Sequence, residues 1–295
     1  MSARTVFSLV KTTLVEWSED RAPRMGAALA YYTVFSLAPL LIISISIAGF
    51  VFGEEAARGE VFDVMHSLVG PEGAAAVQAM VDEAAHSEGR GTAAVVGIGV
   101  LLFGASNVFA QLQAALNQIW KVAPKKRTGL VNFLKTRLLS MGMVLGIGFL
   151  LMVSLLLSAA IAAAGTYLEA LLPGTETAWS LFHTGLSLAV FTFLFGAIYK
   201  ILPDARIRWH DVWIGALVTA VLFSLGRYLI GIYIGNAAIG SVYGAAGSII
   251  ILLVWVYYSA QILFFGAEFT QVYASRHGGI QPERYAVRVV KEEVR

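Results

Sequence analysis

The chain has no cysteine among its 295 residues. That absence excludes a disulfide framework, a thiol nucleophile, and zinc or iron–sulfur centres held by thiolates. Charge is scarce as well, at 14% of positions, where a soluble domain carries roughly a quarter. Nor is there a glycine-rich Walker loop, a G-x-S-x-G or an H-E-x-x-H. A nuclease needs clustered carboxylates or a histidine pair beside a basic groove. The basic loops here are short and hold neither. Asp82 and His86 lie four apart but have no third ligand nearby, so no metal is expected. The sequence calls for no cofactor and no nucleic acid, and no catalytic residue is assigned.

What the chain does have is apolar sequence, 58% of all positions, gathered into long runs. Runs of about 20 such residues read as membrane-spanning helices. Six are expected, at about 26–52, 92–119, 138–163, 180–202, 212–235 and 246–273. The predicted fold is therefore all-α, a polytopic bundle of six transmembrane helices. It occupies residues 1–275, with a tail at 276–295. Two accessory elements are expected. In the first twenty residues Val6, Phe7, Val10, Leu14 and Trp17 recur at helical spacing. This predicts an interfacial helix on the membrane surface rather than a targeting segment. Between 54 and 90, Ala57, Val61, Met65 and Leu68 share one helical face, and Val77, Met80, Val81 and Ala84 another. Gly70-Pro71 lies between them, predicting an outer helical hairpin.

The basic residues orient this bundle. Of 21 Lys and Arg, 18 lie before span one, between spans two and three, between four and five, or after span six. Only Arg58 and Arg90 fall on the opposite side, and Arg227 lies inside span five. The positive-inside rule places both termini in the cytoplasm. The short basic loops suit anionic phospholipid headgroups at the cytoplasmic face.

Three strings carry a family resemblance. The span-one string from Arg24 through Tyr31-Tyr32 to Pro39-Leu40 resembles the YihY/BrkB family. So do GASNVFAQLQAALNQIWKV, Gly104 to Val122, and LLVWVYYSAQILFFGAEF, Leu252 to Phe269, which follows the Tyr243-Gly244 step. The resemblance implies a six-helix protein of the bacterial inner membrane, associated with envelope physiology. It implies no agreed substrate and no set of functional residues. A ribonuclease label once attached to the family has no counterpart in these residues.

Function is then sought among the few polar groups inside the spans. Arg227 lies about 24 Å along span five from Asp211. An arginine at such depth costs about 3 kcal/mol on insertion scales and normally faces the bundle interior or water. It reads either as a site for an anionic group or as a snorkelling side chain. Glu268 is the one acid inside a span. It is expected near Tyr31, Tyr32, Asn117 and Lys200, as a proton carrier or as a packing hydrogen bond. It is not expected to pair with Arg227, whose depth differs. Asn107 and Gln111 share a face of span two, with Gln113 close by, and could line a path or join helices. Pro39 is expected to kink span one, with Ser36 relieving the loosened turn. Gly240 and Gly244 lie in a permissive connection that either dips into the membrane or turns tightly.

Two functions follow from these residues. One is a transporter or flippase-like protein for an anionic or amphipathic, lipid-related solute. The other is a non-transporting scaffold for envelope biogenesis that offers the acidic hairpin or the basic tail to a partner. Oligomeric state is left open. Replacing Arg227 with Ala should abolish a transport function with insertion and abundance unchanged. Deleting 54–90 should abolish a scaffold function instead. Growth phenotype alongside membrane abundance separates the two.

Overall fold

The computed structural model describes residues 3–86, 107–124, 176–236, 247–277, 281–282 and 286–288. Seven helices are described. They are α1 (Ala3–Glu19), α2 (Ala22–Phe52), α3 (Glu54–His86), α4 (107–119), α5 (Glu176–Ile201), α6 (Trp209–Asn236) and α7 (Gly247–His277). Among the described residues, three stretches are long and apolar enough to cross a membrane: Thr184–Ile201, Trp209–Tyr233 and Ile249–Arg276. The expected span at 138–163, the first part of 92–119, and the connection holding Gly240 and Gly244 lie outside the described residues.

The helices end where local chemistry stops them. Arg21, at φ 57°, adopts the left-handed conformation and breaks α1 from α2. Pro23 then sits in the first turn of α2, where its missing N–H is no loss. Gly53, at φ 89°, closes α2 and donates from its N–H to the Gly49 carbonyl at 2.9 Å. The helix runs through Pro39, and Ser36 donates to the Tyr32 carbonyl at 2.7 Å. In α3 the helical assignment is unbroken, yet Arg58 is ion-paired with Asp82. A straight helix would hold these residues about 36 Å apart. The chain therefore doubles back between them, and Gly70-Pro71 lies near the midpoint. Ala57, Val77 and Val81 are buried there against Leu41, Ile45, Leu252 and Val256.

The main core lies where α4 meets α2, α5, α6 and α7. Leu116, Ile119, Trp120, Tyr199, Val212, Ala216 and Phe264 are nearly or wholly buried in it. The α6–α7 contact is unusually close because glycine and threonine alternate across it. Thr219 on α6 covers Gly266 on α7, and Thr270 on α7 covers Gly215 on α6. Each threonine hydroxyl also donates to the glycine carbonyl four residues earlier in its own helix, at 2.8 and 2.7 Å. Small residues of this kind let apolar helices approach closely where the hydrophobic effect gives no help. Tyr199 on α5 joins the contact, donating to the Leu263 carbonyl at 2.7 Å and lying 3.0 Å from Thr219 Oγ1.

Both chain ends pack against the rest of the described structure. Helix α1 docks on α7 along one face. Its Leu9 and Thr13 are buried, Leu9 against Val272 and Tyr273 of α7, and Arg276 donates to Ser8 and Thr12. Val6, Phe7, Val10 and Leu14 point outward and are exposed, as the apolar face of an interfacial helix would be. After α7, the described parts of the tail pair with the loops. Strands β1 (Val122–Pro124) and β4 (Ala286–Arg288) are antiparallel, as are β2 (Ala205–Arg206) and β3 (Gln281–Pro282).

The α6–α7 contact gives a sharp test. A Cβ on Gly215 would lie 2.6 Å from Thr270 Cβ, and one on Gly266 would lie 2.8 Å from Thr219 Cβ. Gly215→Ala and Gly266→Ala should each destabilise the bundle by roughly 1–3 kcal/mol. Gly231→Ala, with open space around it, should be neutral or stabilise by about 0.5–1 kcal/mol. Thermal unfolding in detergent measures all three.

Candidate functional site

The polar centre of the described structure is a cluster at the junction of α1, α4 and α7. Glu268 on α7 lies between Gly266 and Thr270. Two residues is roughly half a helical turn, so the face bearing Glu268 is opposite the one locked against α6. That face meets the C-terminal end of α1. Carboxylate oxygens of Glu16, Asp20 and Glu268 all lie within 4.8 Å of one another. Glu268 and Asp20 are buried, and Glu16 is half-buried.

Lys121 reaches into the same cluster. Its ammonium donates to Asp20 and lies 3.0 Å from Glu16 Oε2. Gln118, one turn earlier, donates to the Asp20 backbone carbonyl at 2.7 Å. The two turns that deliver these groups are conformationally special. Lys121 at φ 54° and Arg21 at φ 57° are the described non-glycine residues with positive φ. Such a conformation costs about 1–2 kcal/mol. Here it ends α4 so that Lys121 turns towards α1, and ends α1 directly after Asp20.

Glu268 itself is fully buried, and among the described residues no donor reaches either of its oxygens. Burial alone lowers the pKa of Lys121, but its bonds to Asp20 and Glu16 outweigh burial and raise it above the ordinary lysine value.

The sequence-predicted residues fall elsewhere. Tyr31 and Tyr32 are exposed, their rings edge-on at 5.5 Å, and do not approach Glu268 as expected. Asn117 does not reach Glu268 either. It donates to Asp204 Oδ2 at 2.9 Å and accepts from the Asp204 N–H at 2.8 Å, while Gln113 donates to Asp204 Oδ1 at 3.3 Å. These amides tie α4 to the α5–α6 loop. Lys200 donates to the Ile207 carbonyl and lies 5.4 Å from the Trp209 ring centre. Asn107 and Gln111 are half-buried. Arg227 is exposed, and among the described residues no ion pair joins it to Glu268.

A second feature adjoins the cluster. Helices α1, α6 and α7 line an open apolar cleft of about 350 Å³. Leu14 and Trp17 line one wall, Leu225, Gly226 and Leu229 another, and Tyr258, Gln261 and Ile262 a third. The Trp17 indole N–H and both amide atoms of Gln261 lack a hydrogen-bond partner. Arg227 follows Gly226 directly, on the same helix.

The sequence reading missed Glu16, Asp20 and Lys121. One signal pointed at them. A lone acid inside a span needs a cation, and Lys121 follows the amide-rich end of span two immediately.

The charge arrangement gives a prediction. A raised folded-state pKa means that Lys121 contributes stability below about pH 10.4, the ordinary lysine value. That contribution is lost as pH rises through the folded value. Lys121→Met should destabilise by roughly 1–3 kcal/mol at pH 7, since it leaves buried carboxylate unpaired. The gap between wild type and variant should close above about pH 10.4. Unfolding temperatures across pH 7–11 check this; a gap that persists or widens would refute it.

Comparison with known proteins places the chain. A family model described as Virulence factor BrkB matches residues 13–288. A UPF0761 membrane protein of Vibrio parahaemolyticus is 30% identical over 266 residues, covering 88% of this chain and 80% of the relative. One of Photobacterium profundum is 30% identical over 258 residues, covering 85% and 76%. One of Pseudomonas paraeruginosa is 29% identical over 263 residues, covering 84% of this chain. The alignment takes in only 58% of that Pseudomonas protein's length. No solved structure matches the chain.

Proposed function

The chain belongs to the BrkB family of membrane proteins, and from that premise we propose that it is a transporter or flippase-like protein for an anionic, amphipathic, lipid-related molecule. The observation that carries this proposal is the cleft between α1, α6 and α7. It has the volume of a small-molecule site and an almost wholly apolar lining. In a bilayer it would accept an acyl chain from the side.

Arg227 supplies the complementary charge. Its guanidinium is exposed on α6 beside the cleft-lining Gly226. A long, flexible stem lets it meet a phosphate while the tail lies in the cleft. The strong bias of basic residues towards one side supports a bacterial inner-membrane protein with both termini in the cytoplasm. In this proposal the protein binds and moves its substrate without chemical change, so no catalytic residue is needed.

Native mass spectrometry of the purified protein tests the binding. Wild type should retain phosphatidylglycerol in preference to phosphatidylcholine. Leu225→Trp with Leu229→Trp, which fills the cleft, should cut retention of both at least tenfold, or about 1.4 kcal/mol. Arg227→Gln should remove the preference and spare the apolar part of binding. Liposomes containing the protein should also move a labelled anionic lipid between leaflets faster than empty ones. Unchanged retention in both variants would sink the proposal.

A further inference from the structure

We infer that Glu16, Asp20 and Glu268 form a binding site for a hard divalent cation such as calcium. This inference does not rest on the transport proposal. It begins with charge. Among the described residues three carboxylates meet one ammonium, an excess of two negative charges when all are ionised. Glu268 is 0% exposed and, among the described residues, no donor reaches either of its oxygens. Lys121, the cation in the cluster, is committed to Asp20 and Glu16. A buried carboxylate left in this way is strongly unfavourable unless it takes up a proton or another cation joins it.

Ligand chemistry selects the class of cation. One oxygen from each of the three carboxylates lies within 4.8 Å of the others, close enough to share one ion. Calcium accepts about six to eight oxygen ligands in flexible geometry, whereas magnesium demands a near-ideal octahedron and gives up its waters reluctantly. A ligand set made wholly of carboxylate oxygen, without histidine or thiolate, suits a hard ion and disfavours zinc or copper. A divalent charge also balances the cluster. Access is available because the Glu16 and Lys121 side chains keep 30% and 21% of their surface exposed. Water would complete the coordination from that side.

The site joins α1 to α7, so a bound ion would clamp the N-terminal helix onto the bundle. Only folded protein brings the three carboxylates together, so the ion should stabilise it by mass action.

The test uses the full-length protein in detergent after chelation. Calcium should raise the unfolding temperature saturably at constant ionic strength, and magnesium should do so more weakly. Terbium, a luminescent ion of calcium size, should bind with emission sensitised by Trp17 and Trp120, which neighbour Glu16 and Lys121 in sequence. Calcium should displace it. Glu268→Gln should weaken terbium binding at least tenfold and abolish the calcium-dependent shift. Glu16→Gln, at a half-exposed position that tolerates change, should weaken binding similarly and serves if the Glu268 variant does not fold. The inference is overturned if no divalent ion shifts unfolding. It is also overturned if both variants respond as wild type does, or if lowering pH alone reproduces the whole effect, which would make the ligand a proton.

Discussion

The reciprocal packing of Thr219 on Gly266 and Thr270 on Gly215 fixes the rest of the described structure. It brings α6 and α7 together with no side chain between glycine backbone and threonine. It also sets the rotation of α7 about its own axis. Gly266 and Thr270 share one face, and Glu268, between them in sequence, must take the other. A rotation that freed Glu268 towards α6 would drive threonine side chains into backbone. Burial of that acid therefore follows from a packing contact made by its neighbours. Tyr199 strengthens the lock by bonding to both helices from α5.

With Glu268 held on that face, the ends of α1 and α4 must supply polar company. They do so through two left-handed residues, Arg21 and Lys121, whose backbone conformations end their helices beside the cluster. Helix α1 turns Leu9, Thr13, Glu16 and Asp20 inward and leaves Val6, Phe7, Val10 and Leu14 outside. That is the reverse of a helix on a water-soluble protein, and it suits one whose outer face meets lipid. The same helix lines the apolar cleft through Leu14 and Trp17. Cleft and acidic cluster thus share a wall, with Trp17 on one side and the adjacent Glu16 on the other.

Much of the fold was legible in the sequence because a bilayer imposes a simple rule. Apolar runs must be helical to satisfy their backbone. The expected spans at 180–202, 212–235 and 246–273 fall on α5, α6 and α7, which are long and apolar enough to cross a membrane, and the stretch 26–52 is helical within α2. The reversal within α3 was legible as two apolar faces flanking Gly70-Pro71. The candidate site was not legible in the same way. Depth along a helix suggested Tyr31, Tyr32, Asn117 and Lys200 as neighbours of Glu268, but depth says nothing about rotation. Asn117 shows the difference. Its depth was plausible, yet its face of α4 turns to Asp204. For α1, helical spacing located an apolar stripe but could not say which face the bundle would bury.

The sequence by itself determined a helical membrane protein with one acid inside its spans, because length, hydropathy and charge act locally along the chain. Only the tertiary structure decided that this acid meets Asp20, Glu16 and Lys121, and that Arg227 stands outside, beside an apolar cleft. Those facts depend on helix rotation, which is set by contacts such as Thr219 on Gly266 between residues far apart in sequence.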